Sequence, residues 1–417
     1  MTSKRKNEKN ILAKVNFPLY TIKMLSSRHV IVGGGGGSSK TGVENGFEIY
    51  EIFHDGQKFG AKEVTRHETG GNVVMNCCVF NDKKNSYLVA GQESHCQLYK
   101  VNTKLVEQVK VENIGNDIHI KQRNTNLKPK EQVDNNKNVK KELYYTLNPM
   151  DSVQTDFNGS EPLSRVVRIN YDGKVLATGG TDGDVRLWKF PSLQPLFILK
   201  GHKKEIDDVD FSRHDNYVIS IAKDGLGILW DCKTGNERSK LTWKHPEGSK
   251  YLYKRCRFGV IEEQKNKSAL YMIANAVNPK HKSFLQQWIP EENDLKKYSE
   301  FDETLATLAV RDDGRFVAVG TMFSGSISIH VAFSLQKILT VAGAHSMFVT
   351  GLEFLSSINT NHSISSVAEA AVLSISVDNR LCIHTVPYRR TIPLWIGIML
   401  LVLTLFLTFL LCAYLGL

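Results

Sequence analysis

From Ile206 to Asp231 the chain reads IDDVDFSRHDNYVISIAKDGLGILWD, and from Val166 to Trp188 it reads VVRINYDGKVLATGGTDGDVRLW. Each stretch is a short apolar run, a turn at Asp-Asn or Asp-Gly, a second apolar run, an Asp-Gly turn, and a strand carrying Trp at its end. Turn formers set between short β-prone runs are the signature of antiparallel hairpins. Two such units lie side by side, so the chain repeats itself, and a repeat at this spacing decides the architecture.

Gly201-His202 stands just before the Ile206 unit, and Trp230-Asp231 closes it. That pair of dipeptides marks a WD repeat, whose period is ~40–45 residues. Working outward, the closing strand recurs as Phe47–Tyr50, Cys96–Tyr99, Val185–Trp188, Gly227–Trp230, Leu285–Trp288, Ser326–His330 and Leu381–His384. Seven closing strands predict an all-β fold, a seven-bladed WD-repeat-like β-propeller over residues 16–388. A ring of four-stranded blades leaves few exposed sheet edges. The long interval between Tyr99 and Trp188 is explained by a Lys-rich insertion at about 104–145, where polar residues crowd out apolar ones. His202 and His345, at Gly-His positions, and Asp182, Asp224 and Asp378, in turns before closing strands, read as structural residues.

Residues 1–15 read as a disordered basic N-terminus. Met1–Asn10, MTSKRKNEKN, carries no apolar h-region, so a signal peptide is not expected. At the other end, residues 391–417 contain no charge. A helix needs ~20 apolar residues to cross the hydrocarbon core, so residues 392–415 are expected to form a single transmembrane helix with membrane lipid around it. Trp395 and Tyr414 stand near its two ends, where headgroups favour amphipathic rings, and Arg389-Arg390 flank its start. The positive-inside rule then predicts a cytosolic body and a C-terminus across the bilayer.

Lys and Arg number 53 against 43 Asp and Glu, a formal net charge of +10. Beside a membrane anchor, such an excess favours anionic headgroups. No Lys- or Arg-dense element suited to a nucleic-acid groove is present, so nucleic acid is not the expected partner. The seven cysteines show no CxxC and no metal-ligand spacing, which fits reduced core residues.

One segment does not belong to a plain propeller. Ile31–Gly46 reads IVGGGGGSSKTGVENG, about fourteen loop residues with five consecutive glycines where a hairpin needs two to five. A phosphate-binding loop would have to open a helix, but Gly42 and Gly46 interrupt and the strand Phe47–Ile52 follows. Nucleotide binding by this loop is therefore not expected. Val43 is an apolar residue on a Gly-rich protrusion, which suits insertion into a partner. Successive Gly carbonyls with Asn45 also suit a hard monovalent cation.

Three segments carry a resemblance to a known family: Asn16–Tyr20 (NFPLY), the Gly33–Gly37 run with Lys40–Gly46, and Ala90–Leu98 (AGQESHCQL). Together with the propeller and the C-terminal anchor, they resemble the endoplasmic-reticulum exchange-factor family for the Sar-type small GTPase that starts COPII coats. The resemblance implies a guanine-nucleotide releasing factor in the endoplasmic reticulum membrane, acting in ER-to-Golgi protein transport. It also implies a potassium ion ordering the glycine loop. On that reading Gly42, Val43 and Glu44 form the tip that enters the GTPase, and Gly33, Gly34, Gly35 and Asn45 hold the ion. Such a protein displaces nucleotide and makes no bonds of its own, so it is not expected to be an enzyme. The competing readings are a non-catalytic scaffold and a DNA-binding regulator.

Overall fold

The computed structural model of the chain describes residues 10–37, 42–82, 84–109, 139–214, 216–243, 245, 248–261, 268–357, 364, 366–388 and 394–415. Its repeating unit is explained by the hydrogen bonds of the Ile206 repeat. The Ser220 hydroxyl lies 2.8 Å from both His202 Nε2 and Trp230 Nε1, while His202 Nδ1 faces the Asp224 carboxylate at 3.2 Å. The Asp-Gly turn thus does more than turn the chain: Asp224 also fixes the His that enters the blade. The last blade repeats the arrangement, with Ser374 bridging His345 and His384 at 2.8 and 2.9 Å and Asp378 facing His345 at 3.0 Å. There His384 takes the place that Trp230 fills.

Among the described residues, twenty-eight strands form seven four-stranded antiparallel sheets, the seven blades expected from the sequence. Each of the seven closing strands lies in the third strand of a blade. The first strands of successive blades are neighbours around the axis, and the first and last blades meet to close the ring. Strands pack face to face between blades, so the core is a series of inter-blade clusters rather than one centre. The cluster between blades seven and one holds Phe17, Leu19, Val32, Ile52, Leu373 and Leu381, all fully buried.

Two boundaries differ from the expected ones. Residues 11–14 do not belong to a disordered N-terminus. Ile11–Lys14 is the outer strand of blade seven, antiparallel to Arg380–Val386. The ring is therefore closed by the two ends of the propeller, and the fold begins before residue 16. The Lys-rich insertion is also shorter than expected. The strands His95–Val109 and Val139–Gln154 pair from His95↔Gln154 out to Val109↔Val139, so residues 104–109 and 139–145 extend the hairpin of blade two. The remainder lies outside the described residues.

Near the axis, blades three to five bring Arg168, Arg257, Asp207 and Asp208 together. Arg257 reaches Asp208 at 2.5 Å, and Arg165 reaches Asp207 at 2.9 Å. Burial alone would raise the Asp208 carboxyl, but Arg257, Arg168 and Arg255 outweigh it and hold the group below its ordinary range. Basic charge here is answered by buried carboxylates. After the propeller, Leu394–Leu415 is one apolar helix of 22 residues. At 1.5 Å per residue it is ~33 Å long, enough to cross a membrane.

Candidate functional site

Antiparallel order fixes which loops share an end of the ring. Turns between second and third strands, and those linking blades, open on one face. Turns between first and second strands, and between third and fourth, open on the other. The glycine loop joins His29–Gly34 to Gly46–His54, the second and third strands of blade one, so it stands on the first face. It leads into a strand and not a helix, which removes the phosphate-loop reading.

Gly33 and Gly34 are not loop residues. Both lie in the blade-one ladder, Gly33 between Thr21 and Phe47, Gly34 between Leu19 and Gly46. The loop is thus 35–45, shorter than expected. At its entry glycine is required for reasons of space: a Cβ on Gly34, the last ladder residue, would stand 1.8 Å from Pro18 O, and one on Gly35 2.0 Å from Asn45 Oδ1. Gly35 also holds φ +143°, a backbone conformation that L side chains rarely adopt. The start of the glycine run is thus closely packed.

Asn45 is 5% exposed and clamps the loop base. Its Oδ1 accepts from Gly37 N–H at 3.0 Å, and its Nδ2 donates to Gly37 O at 3.1 Å and Gly70 O at 2.9 Å. Thr69 N–H in turn donates to Asn45 O at 3.0 Å. The turn after blade one, TGGN at 69–72, therefore grips the loop from outside. Arg66, on the fourth strand, pairs with Glu44 and stands 3.7 Å from Glu48. Its guanidinium also lies over the Phe17 ring at 5.9 Å. Burial raises the Glu48 carboxyl although Tyr50 donates to it at 2.5 Å. Arg66, Gly37 and Gly70 were not identifiable as partners from the sequence, because nothing in it pairs a β-turn with an Asn 25 residues away.

Of the expected tip residues, Gly42 is exposed at φ +74° and Glu44 is exposed but ion-paired. Val43 is not the exposed apolar tip that the sequence suggests. It is half-buried and packs on the cluster between blades seven and one. Residues 38–41, including Lys40 and Thr41, lie outside the described residues. Of the four residues expected to hold a cation, Gly33 and Gly34 lie in the sheet, Gly35 N–H donates to Pro18 O, and the Asn45 amide bonds to Gly37 and Gly70. Among the described residues, no group of three His, Cys, Asp or Glu side chains could hold a metal ion.

Residues 152–189 and 193–231 match the WD domain, G-beta repeat family. The chain is 30% identical over 402 residues to the guanine nucleotide-exchange factor SEC12 of Mus musculus, covering 93% of each protein. The Rattus norvegicus protein of the same name shows the same identity and coverage. SEC12-like protein 2 of Arabidopsis thaliana is 25% identical over 51% of this chain and 48% of its own length. With a seven-bladed propeller, a glycine loop in blade one and a C-terminal apolar helix in place, the near-full-length likeness settles the kinship: the chain belongs to the SEC12 guanine nucleotide-exchange factor family.

Proposed function

We propose that the chain accelerates GDP release from a Sar-type small GTPase at the endoplasmic reticulum membrane and so starts COPII coat assembly. The observation that carries this reading is the 30% identity over 93% of both proteins with two mammalian exchange factors. The glycine loop supplies the working part. Its base is rigid, held by the blade-one ladder, the Asn45 clamp and the Arg66–Glu44 pair. Its outer residues Gly42 and Val43 rest on the propeller by one side chain.

Moving Val43 from its half-buried seat costs little. Full burial of Val contributes ~1.5 kcal/mol or slightly more, and a partial contact less. A GTPase surface that offers a better apolar pocket therefore wins the side chain, with Gly42 supplying the hinge. If the loop fits best when nucleotide is absent, binding shifts the GTPase toward its empty state and GDP leaves. Switch elements that depend on nucleotide contacts for their order loosen in the same step. No proton transfer or nucleophile is required of this chain.

A potassium ion at Gly33, Gly34, Gly35 and Asn45 enters as an expectation, and two further oxygens stand near it. Gly37 O and Gly70 O converge on the Asn45 amide. Turning that amide over would present Oδ1 beside them, three oxygens suited to a monovalent cation. A bound ion would supply loop order only. Loop hydrogen exchange in potassium against sodium buffer tests this: slower exchange in potassium, lost in Asn45→Leu, supports the site, and equal exchange removes it.

The C-terminal helix is read as a single-pass anchor, with Arg389-Arg390 on the cytosolic side. The full chain, reconstituted in vesicles with a Sar-type GTPase loaded with fluorescent GDP, tests the function. The reading requires faster GDP release. A stable complex with unchanged release would make the protein a scaffold instead.

A further inference from the structure

A cavity of about 600 Å³ opens between blades five and six, lined by Tyr271, Trp288, Phe316 and Ile338, with Lys297 and Arg315 at its mouth. Phe333, also lining it, is 75% exposed. The Lys297 ammonium lies 4.1 Å over the Phe333 ring and donates to Phe333 O at 3.0 Å. Among the described residues no carboxylate pairs with Lys297. Arg315 reaches Glu369 at 3.5 Å, and its charge also acts on the Asp313 carboxyl. Lys296, by contrast, is neutralised by Asp294 at 2.5 Å. The site is thus an apolar hole with one unanswered cation and one weakly answered one, beside an exposed aromatic ring.

Its place in the fold says what it faces. Arg315 lies between the first and second strands of blade six, and Phe333 between the third and fourth. Both positions are on the face opposite the glycine loop. The third strand of blade seven, Arg380–Val386, ends on that same face. Glu369, on the cavity wall, donates its backbone N–H to Val386 O at 2.9 Å. Only residues 387–393 separate Val386 from the helix that begins at Leu394. Eight Cα steps span at most ~28 Å whatever path they take. The cavity wall at Glu369 is therefore tethered to the start of the helix. Where that helix spans a bilayer, the tether holds the cavity near a surface in which lipid is far more concentrated than any soluble ligand.

We propose that this cavity binds an anionic phospholipid of the bilayer in which the chain's own helix sits. The phosphate would lie at Lys297 and Arg315, an acyl chain would enter the aromatic cavity, and Phe333 would meet the hydrocarbon boundary. An exposed aromatic beside a cation is the combination that interfacial binding uses. Docked in this way, the propeller presents its opposite face, and the glycine loop, to the cytosol. The proposal rests on reading the helix as a bilayer anchor.

The full chain in nanodiscs of phosphatidylcholine alone, and of phosphatidylcholine with phosphatidylserine, tests it. Co-elution with the discs reports the anchor by itself, and a chain that does not co-elute refutes the anchor reading rather than the lipid site. In discs that retain the chain, backbone hydrogen exchange at 311–317 and 331–337 reads the cavity. The expected result is several-fold slower exchange in the phosphatidylserine discs, lost in Lys297→Glu and in Phe333→Ser while both variants stay in the discs. Equal exchange in the two kinds of disc, or protection that survives Lys297→Glu, overturns the proposal. Protection that follows chain concentration and not lipid charge would make the occupant a second copy, and overturns it as well.

Discussion

Asn45 donates from Nδ2 to Gly70 O at 2.9 Å, tying the glycine loop of blade one to the turn that leads into blade two. Asn45→Ala removes this bond and the two to Gly37. Each is worth ~0.5–1.5 kcal/mol net, so the loop base should lose on the order of 2 kcal/mol of local stability. Hydrogen exchange at 33–46 should quicken and GDP release slow, with the melting temperature of the whole propeller nearly unchanged. Unaltered loop exchange in Asn45→Ala would remove the clamp from the account.

Ring closure depends on a short strand at the N-terminus. Ile11↔Cys382, Ala13↔Leu381 and Lys14↔Arg380 form its register, and Asn10 O and Val15 N–H add bonds at either end. Deleting residues 1–15 should cost roughly 2 kcal/mol or more from ladder bonds at ~1 kcal/mol each. It also bares the edge of Arg380–Val386, so the deleted chain should self-associate. Deleting residues 1–9 should do neither, and melting curves with light scattering tell the two shortened chains apart.

Burial pushes the His384 imidazole down to about 3, with the His345 ring adding to the effect. The folded value lies below the ordinary 6.5, so the neutral ring stabilises the fold above that pH. The stability falls as pH drops below about 6.5, because the unfolded chain takes the proton and the folded chain resists it. With a folded value under 5, this one group costs about 2 kcal/mol between pH 7 and pH 5. His384→Trp places the residue found at Trp188, Trp230 and Trp288 in the same strand position. It should flatten the acid limb of a denaturation series by about that amount.

The blades were legible in the sequence because their signals are local. Asp-Gly turns announce the closing strands of blades three and four, and short apolar runs ending in Tyr, Trp or His mark the others. The Ile11–Lys14 strand was not, because ILAK is four residues long and becomes a strand only beside Arg380–Val386 at the far end of the chain. The glycine loop was legible as an exception to hairpin chemistry, but its internal order was not. Gly34 is needed because Pro18 O lies where a Cβ would go, and Val43 is half-buried because blade seven stands next to it. Both facts depend on residues that only ring closure brings near. Asp224 and Asp378 were readable as turn formers, yet their partners His202 and His345 come from the preceding link between blades.

Exchange by this mechanism requires that Val43 enter the GTPase. GDP release from a Sar-type GTPase should be followed in vesicles carrying either the full chain or its Val43→Asp variant, with melting temperature recorded for both. A charge at a half-buried surface position should lower stability by only ~1–2 kcal/mol, leaving the closed propeller folded. Release should be fast with the unchanged chain and near the spontaneous rate with Val43→Asp. Equal acceleration by the two proteins would contradict this mechanism.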